Sequence, residues 1–182
     1  MEFKEATLND TSEILNIVKI AMKHMVEENN PQWVDENAIM NSIINYINNN
    51  QYYLAIKNNE IVGIFALLLT KDDTYDVIDG KWLNDEKYIT IHKIAVKYHK
   101  QHIASDILNF VIDLANKKSI NNIRIDTSSL NKSMTTFLLK NNFKHCGVIS
   151  ITKNFNDLKS LRDAYQKERL YKQIVGKKLV WA

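Results

Sequence analysis

The sequence predicts one α+β domain in which strands lie on both sides of a central strand, helix, strand unit. Its 182 residues are 45% hydrophobic and 25% charged, which suits a single domain with an ordinary core. Segments with apolar residues at period two alternate with segments at helical spacing, and no repeat or linker interrupts them. We therefore predict a domain over residues 1–169 and a tail over 170–182, for which the pattern predicts no structure.

The first half of the chain predicts an edge strand, two helices and an antiparallel hairpin. These elements fall in order at residues 1–6, 10–28, 35–47, 51–56 and 60–69. Asp10 and Glu13 stand three residues apart and predict a capping box at the start of the first helix. Pro31 interrupts the helical pattern before the second helix. Asn58 and Asn59 tolerate left-handed backbone, so they suit the turn of the hairpin.

The second half of the chain contains the central unit of the predicted sheet. After a polar loop at 70–87, we predict strands at 88–96, 121–126, 145–152 and 162–168, with helices at 103–117 and 133–140. The strand at 88–96 is almost continuously apolar, which indicates burial on both faces. Because a helix connects it to the strand at 121–126, these two strands should run parallel through a right-handed crossover.

The composition excludes several classes of protein. The lone Cys146 rules out a disulfide framework and a Cys-rich zinc site, and no metal site is predicted. The first residues, MEFKEATLND, lack the features of a signal peptide, and the apolar run at 61–69 is half the length that spans a bilayer. We expect a cytoplasmic protein without a membrane partner. The net charge of +3 forms no basic stripe, so no nucleic-acid partner is expected either.

The loop between the strand at 88–96 and the next helix carries the strongest chemical signal. It contains Lys97, His99, Lys100 and His102, directly before the N-terminus of that helix. Helix N-termini attract anions through free N–H groups and the helix dipole, so the loop suits a phosphate-bearing ligand. The alternative is a solvated polar loop without a ligand, because none of the four glycines lies in it and phosphate loops usually need glycine.

Five stretches of the sequence, in order and at suitable spacing, are similar to the GNAT superfamily of acyl-CoA-dependent N-acetyltransferases. They are PQW at 31–33, EIVGIFAL at 60–67, TYDVIDGKWLND at 74–85, IHKIAV at 91–96, and RIDTSSLNKSM together with the later NNFKHCGVI. The resemblance is strongest to a bacterial subgroup of small-molecule-type members and extends over about residues 2–168. It implies a mainly antiparallel sheet with a central parallel strand pair flanked by helices, and acetyl-CoA as the cosubstrate.

The resemblance also implies where acetyl-CoA binds. In the family, the strand that matches 88–96 splays from its parallel neighbour, and its free backbone pairs with the pantetheine arm. The family's pyrophosphate loop has Arg or Gln, then Gly, then Gly or Ala at positions that match His99, His102 and Ala104, and only Ala104 conforms. If the two histidines donate instead, CoA affinity should rise as the pH falls. The cofactor-binding positions are Ile94, Ala95, Val96, His99, Lys100, Gln101, His102, Ile103, Ala104, Ser105, Asn131 and Phe137.

Two residues are expected to serve catalysis. His92 stands two residues before Ile94, so strand alternation places both on one face and makes His92 the expected general base. The alternative for His92 is a packed, hydrogen-bonded side chain. Asp126, at the carboxyl end of the neighbouring strand, would orient a cationic substrate or a water chain. Alternatively, Asp126 caps the loop before Asn131.

Three further positions bear on the reaction. The tyrosine that many GNAT proteins use as the acid matches Leu138 here, so the thiolate would be protonated by water or leave unassisted. Trp33 and Trp82 are expected to hold an amine substrate by cation–π contact. The alternative for both is an aromatic lid over the core.

These features imply an acetyl-CoA-dependent N-acetyltransferase that transfers an acetyl group to a small-molecule amine by direct attack. Because the loop glycines and the tyrosine are missing, the alternative is a catalytically degenerate CoA-binding or regulatory module with the same fold. A third interpretation is a protein–protein module whose tail, at 170–182, adds a strand to a partner or to a homodimer.

Overall fold

The computed structural model describes residues 1–30 and 32–168, together with the strands at 172–175 and 178–181. Its strands are β1 (Glu2–Glu5), β2 (Tyr52–Lys57), β3 (Glu60–Leu68), β4 (Ile78–Gly80), β5 (Tyr88–Val96), β6 (Asn122–Thr127), β7 (Lys144–Ser150), β8 (Leu161–Glu168), β9 (Lys172–Val175) and β10 (Lys178–Trp181). Its helices are α1 (Thr11–Glu27), α2 (Glu36–Asn48), α3 (Ile103–Lys117) and α4 (Lys132–Lys140). The predicted break at Pro31 and the remainder of the tail lie outside the described residues.

Eight of the strands form one sheet in the order β1-β2-β3-β5-β6-β8-β7-β4. Among the described strands, β5 and β6 form the one parallel pair, and every other pair is antiparallel. The predicted α+β class, with a mainly antiparallel sheet around a central parallel pair, is therefore confirmed. β1 occupies an edge, as its alternating pattern predicted. β9 and β10 pair with each other as a separate antiparallel hairpin.

Helices cover both faces of the sheet because the central strands are apolar on both sides. The apolar faces of α1 and α2 share one core with Ile64 and Ala66 of β3. The intervening residues Phe65 and Leu67 point into a second core, which contains α3 and Leu138 of α4. This division follows from the alternation of side chains along a strand. None of the helices in the described ranges is long and apolar enough to cross a membrane.

Two local predictions are wrong. The capping box lies one turn earlier than expected, since the Thr7 N–H donates to Asp10 Oδ2 at 2.8 Å and draws that carboxylate away from α1. The predicted polar loop at 70–87 contains β4, which pairs with β7. In that pair Gly80 and Gly147 face each other with φ of 136° and 143°, and a Cβ on either would lie within 2.3 Å of a carbonyl oxygen. A three-residue strand that pairs through glycines shows no apolar alternation, so the sequence pattern could not predict β4.

The parallel pair separates before β5 ends, and this separation creates the site. Backbone pairing between β5 and β6 extends from Tyr88 opposite Asn122 only as far as Ile91 opposite Ile125. β5 then continues to Val96 along β3 alone. Lys93 has φ of 48° within this stretch, and the β3–β5 register shifts between Ile64 and Ala66, which marks a β-bulge.

Candidate active site

The end of β5 that no longer pairs with β6 borders a first cavity, of about 330 Å³. All of the predicted cofactor-binding positions line it, although β5, the following loop, α3 and α4 contribute them separately: Ile94, Ala95, Val96, His99, Lys100, Gln101, His102, Ile103, Ala104, Ser105, Asn131 and Phe137. The first helix supplies a further wall through Ala21, His24 and Met25. Sequence reasoning missed this wall because the apolar face of α1 indicates only that it is buried, not which part of it borders a cavity.

The loop before α3 adopts a backbone that usually requires glycine. Lys100 has φ of 62° and His102 has φ of 60°, so both occupy the left-handed region without a glycine. His102 directly precedes Ile103, the first residue of α3. The first-turn N–H groups of a helix have no intrahelical partner, so those of α3 remain available to an anion. The loop therefore adopts left-handed backbone at two non-glycine positions, and both are strained.

A pair of histidines stands on one side of this cavity. The rings of His24 and His99 lie 4.1 Å apart between centroids. Burial and the neighbouring His24 both lower the pKa of His99. Beside them, Glu28 accepts a hydrogen bond from the Ser133 hydroxyl and so connects the end of α1 to the start of α4 across the cavity.

A second cavity, of about 460 Å³, adjoins the first. The two share lining residues from α1, from α4 and its N-cap, and from β5, namely Met25, Ile94, Asn131 and Met134. His92, Lys93 and Ile94 all border the second cavity, so His92 and Ile94 do meet as expected. Simple alternation is the wrong reason for it, because the bulge at Lys93 interrupts the period of two.

His92 lies between two carboxylates in the second cavity. Its Nε2 is 2.6 Å from Asp72 Oδ2, and its Nδ1 is 3.4 Å from Asp126 Oδ1. The Tyr75 hydroxyl donates to the same Asp126 oxygen at 2.7 Å. Sequence reasoning missed Asp72, which lies twenty positions before His92 in a segment that resembles any polar loop. Within the described ranges, no cluster of His, Cys, Asp and Glu side chains is arranged to hold a metal ion.

The protonation states around His92 follow from these contacts. Burial alone would raise the pKa of Asp72, but hydrogen bonds from His92 and Thr74 outweigh it and lower that pKa to about 2. An ionised carboxylate only accepts, so the short bond to Asp72 requires a proton on Nε2 of His92. In a neutral ring, the lone pair then resides on Nδ1. Burial, followed by the charge of Asp126, raises the pKa of Tyr75 well above 10, which keeps this phenol a donor.

A comparison of protein families fits this geometry. The sequence profile described as the Acetyltransferase (GNAT) family matches residues 16–143, which is more than half of the chain. The matched residues include most of α1, the splayed strand β5, the loop before α3 and all of α4. The chain belongs to the GNAT family of acetyltransferases. The resemblance seen in the sequence is thereby confirmed.

Solved structures share this GNAT fold over nearly the whole chain. A GNAT-family acetyltransferase from Streptococcus agalactiae is 26% identical, with a TM-score of 0.76 over 92% of this chain and 95% of its own. One from Listeria monocytogenes is 18% identical, with a TM-score of 0.64 over 92% and 94%. Aminoglycoside 6'-acetyltransferase type Ii is 14% identical, with a TM-score of 0.62 over 92% and 97%. The last two show likeness of fold alone. A comparison with curated protein sequences finds no match.

The position of the GNAT tyrosine is structural in this chain. Leu138 is only 1% exposed and belongs to the core beneath α4. It does not line either cavity, whereas its neighbour Phe137 lines the first. A different phenol, that of Tyr46, lines the second cavity with its ring centroid 6.4 Å from that of His92. Burial and then the charges of Asp72 and Asp126 raise the pKa of Tyr46 to about 12, so it stays protonated.

The two tryptophans that were expected to hold an amine lie in different places. Trp33 lines the second cavity, where the Lys93 ammonium lies 5.9 Å from its ring centroid. Trp82 lines a separate cavity, donates its indole N–H to the Tyr75 carbonyl at 3.1 Å and stacks on Arg124 at 4.1 Å. The structure thus removes Trp82 from the neighbourhood of His92. The sequence could not indicate this, because the position of Trp82 depends on pairing with the buried Arg124.

Proposed function

We propose that the chain is an acetyl-CoA-dependent N-acetyltransferase that acetylates a small-molecule amine by direct attack. The observation that carries this proposal is the junction of two cavities at Ile94. One is bordered by the part of β5 that does not pair with β6 and by a helix N-terminus, and the other contains His92 between Asp72 and Asp126. Two substrates held in such adjoining spaces would meet at the splayed strand.

The residues of the first cavity suit acetyl-CoA as the first substrate. The backbone of β5 beyond Ile91 has no pairing with β6, so its peptide groups can bond the amides of a pantetheine arm. Lys100 and the first turn of α3 would bind the phosphates by charge and by directional N–H donation. Phe137 offers an apolar surface beside the arm. The thioester would then lie near Ile94, where the second cavity begins.

The residues of the second cavity suit an amine acceptor. Asp126 attracts the ammonium form, and His92 Nδ1 accepts a proton so that the neutral nitrogen can attack. The nitrogen forms a bond to the acetyl carbon while the carbon–sulfur bond breaks. Of the two protons that the ammonium loses, one leaves through His92 to solvent and the other ends on the thiolate. Thiols are acidic enough for this departure without the missing GNAT tyrosine.

The test combines calorimetry with acetyl-CoA and thiol release across a panel of primary amines. We expect binding of acetyl-CoA and amine-dependent thiol release. His92→Ala should reduce kcat by about 10²- to 10⁴-fold, the usual contribution of a general base, without changing acetyl-CoA affinity. His145→Ala is the matched control, because His145 is half exposed and pairs with Asp163 on β8.

Two outcomes would contradict the proposal. Binding of acetyl-CoA without thiol release for any amine would favour the degenerate CoA-binding module, which the non-glycine loop and Leu138 also suit. Absence of acetyl-CoA binding would favour a protein–protein module.

A further inference from the structure

Two cations border the second cavity without a carboxylate partner. Lys93 projects from the bulge of β5, and Arg162 lies near the start of β8, just past the carboxyl end of β6. Within the described part of the chain, neither has an Asp or Glu oxygen within 4.0 Å. Arg162 donates from one terminal nitrogen to the carbonyls of Lys159 and Leu161, at 2.8 and 2.7 Å. The Lys93 ammonium lies 5.9 Å from the centroid of the Trp33 ring.

This arrangement is costly for an empty cavity. Burial lowers the pKa of Lys93, and the nearby charge of Arg162 lowers it further, although Asp126 acts in the opposite direction. Burial likewise lowers the pKa of Arg162, and the charges of Asp126 and Asp157 act in the opposite direction. Asp126 attracts both cations and Asp157 attracts Arg162, but neither carboxylate pairs directly with them, so a bound anion would compensate their charge more closely. Arg162 stays charged regardless, since a guanidinium does not lose its proton in proteins.

The bulge at Lys93 reinforces this interpretation. In a regular strand, Lys93 would point to the face opposite His92 and Ile94. The left-handed φ of 48° instead brings Lys93 to the same cavity as both neighbours. Backbone strain of this kind is often found at functional sites. The strain therefore coincides with a cation turned into the cavity of the proposed base.

We propose that the acceptor amine also carries an anionic group, a carboxylate or a phosphate, which binds Lys93 and Arg162 while the amine faces Asp126 and His92. This inference rests on the proposed function and narrows its substrate class. The Asp72 oxygens already accept hydrogen bonds from His92 and Thr74, so Asp126 is the carboxylate that remains for an ammonium. A polycation would meet repulsion from Lys93 and Arg162 at its other end.

The test compares ω-amino acids of two to five carbons with n-alkylamines and diamines of matching length, by kcat/KM for thiol release from acetyl-CoA. 2-Aminoethyl phosphate is included to separate phosphate from carboxylate recognition. We expect the best anionic amine to exceed its uncharged match by at least about tenfold. Arg162→Gln and Lys93→Gln should each abolish that preference by raising KM for the anionic amine far more than KM for the alkylamine. Lys159→Gln, which removes an exposed cation next to this region, is the matched control and should change neither.

Distinct results would overturn the inference or the function on which it rests. If alkylamines or diamines equal or surpass the anionic amines at every length, the anion site is refuted while the acetyltransferase remains. An equal loss for all acceptors in both Gln variants also refutes it. If no amine is acetylated, calorimetry of the ω-amino acids and 2-aminoethyl phosphate with the CoA-bound protein decides. Binding that Arg162→Gln abolishes supports the anion site, and absence of binding refutes it.

Discussion

Replacement of Gly63 by alanine tests how β3 positions α3 and, through α3, the wall of the first cavity. A Cβ at position 63 would lie 3.0 Å from Ile107 Cδ1, 3.1 Å from Ile103 Cγ2 and 3.3 Å from Ala55 Cβ. Overpacking of this kind costs about 1–3 kcal/mol. Alanine also reduces the conformational entropy of the unfolded chain, which stabilises the folded protein by about 0.4–1 kcal/mol. We therefore expect Gly63→Ala to lower the free energy of unfolding by about 1–2 kcal/mol, measured by urea denaturation and circular dichroism.

The same substitution should weaken CoA binding. Ile103 is the first residue of α3 and lines the first cavity. A shift of α3 away from β3 would therefore displace the helix N-terminus. Calorimetry with CoA measures this effect independently of stability. The expected result is a higher Kd at a temperature where both proteins remain folded.

A second substitution makes the reasoning refutable. Ile107→Val removes the nearest clashing atom, Cδ1, and alone should cost about 0.5–1.5 kcal/mol. Combined with Gly63→Ala, the loss should be smaller than the sum by about 1 kcal/mol, because the two sites share one contact. Ile43→Val is the matched control, since Ile43 is fully buried in the other core and should add independently. Additivity of Gly63→Ala and Ile107→Val within about 0.5 kcal/mol would refute the packing argument.

Two further predictions concern charge. Asp72→Asn should destabilise the protein by about 2 kcal/mol at pH 7, because the Asp72 pKa of about 2 lies below its ordinary value of about 3.8. The difference from wild type should fade as the pH falls from about 5 towards 2 in urea titrations, and a constant difference would contradict the linkage. CoA affinity should rise as the pH falls, because protonated histidines attract the phosphates. Burial and His24 lower the pKa of His99, so its contribution should begin at a pH below the ordinary histidine pKa of about 6.5. Calorimetry at pH 8, 6.5 and 5.5 measures it; His99→Gln should remove this component, and equal wild-type affinity at all three pH values would contradict it.

Contiguous segments account for most of what could be predicted. The helical periods of α1, α2 and α3 and the apolar run of β5 are local patterns, so their element types follow from the residues themselves. The positions predicted to bind the cofactor come from β5, the loop after it, the first turn of α3, and α4 with its N-cap. The crossover from β5 through α3 to β6 brings these segments together in only one way.

The parts that were missed depend on contacts between distant segments. Asp72 is invisible in the sequence because a loop brings it to His92 only in the folded chain. The position of Trp82 depends on Arg124, and the pairing of β4 depends on two glycines in separate strands. Each of these contacts joins residues that are far apart in sequence, so no local hydrophobic pattern predicts it.

The sequence by itself determined the fold class, the GNAT resemblance and a set of positions that line one cavity, because periodicity and contiguous motifs carry that information. Only the tertiary structure decided what surrounds the proposed base. It placed Asp72 and Asp126 on either side of His92, and it brought Lys93 and Arg162 to the same cavity. At Lys93 the physical reason is the bulge in β5. One left-handed residue there interrupts the alternation of side chains, so Lys93 borders this cavity instead of lying on the opposite face of the sheet.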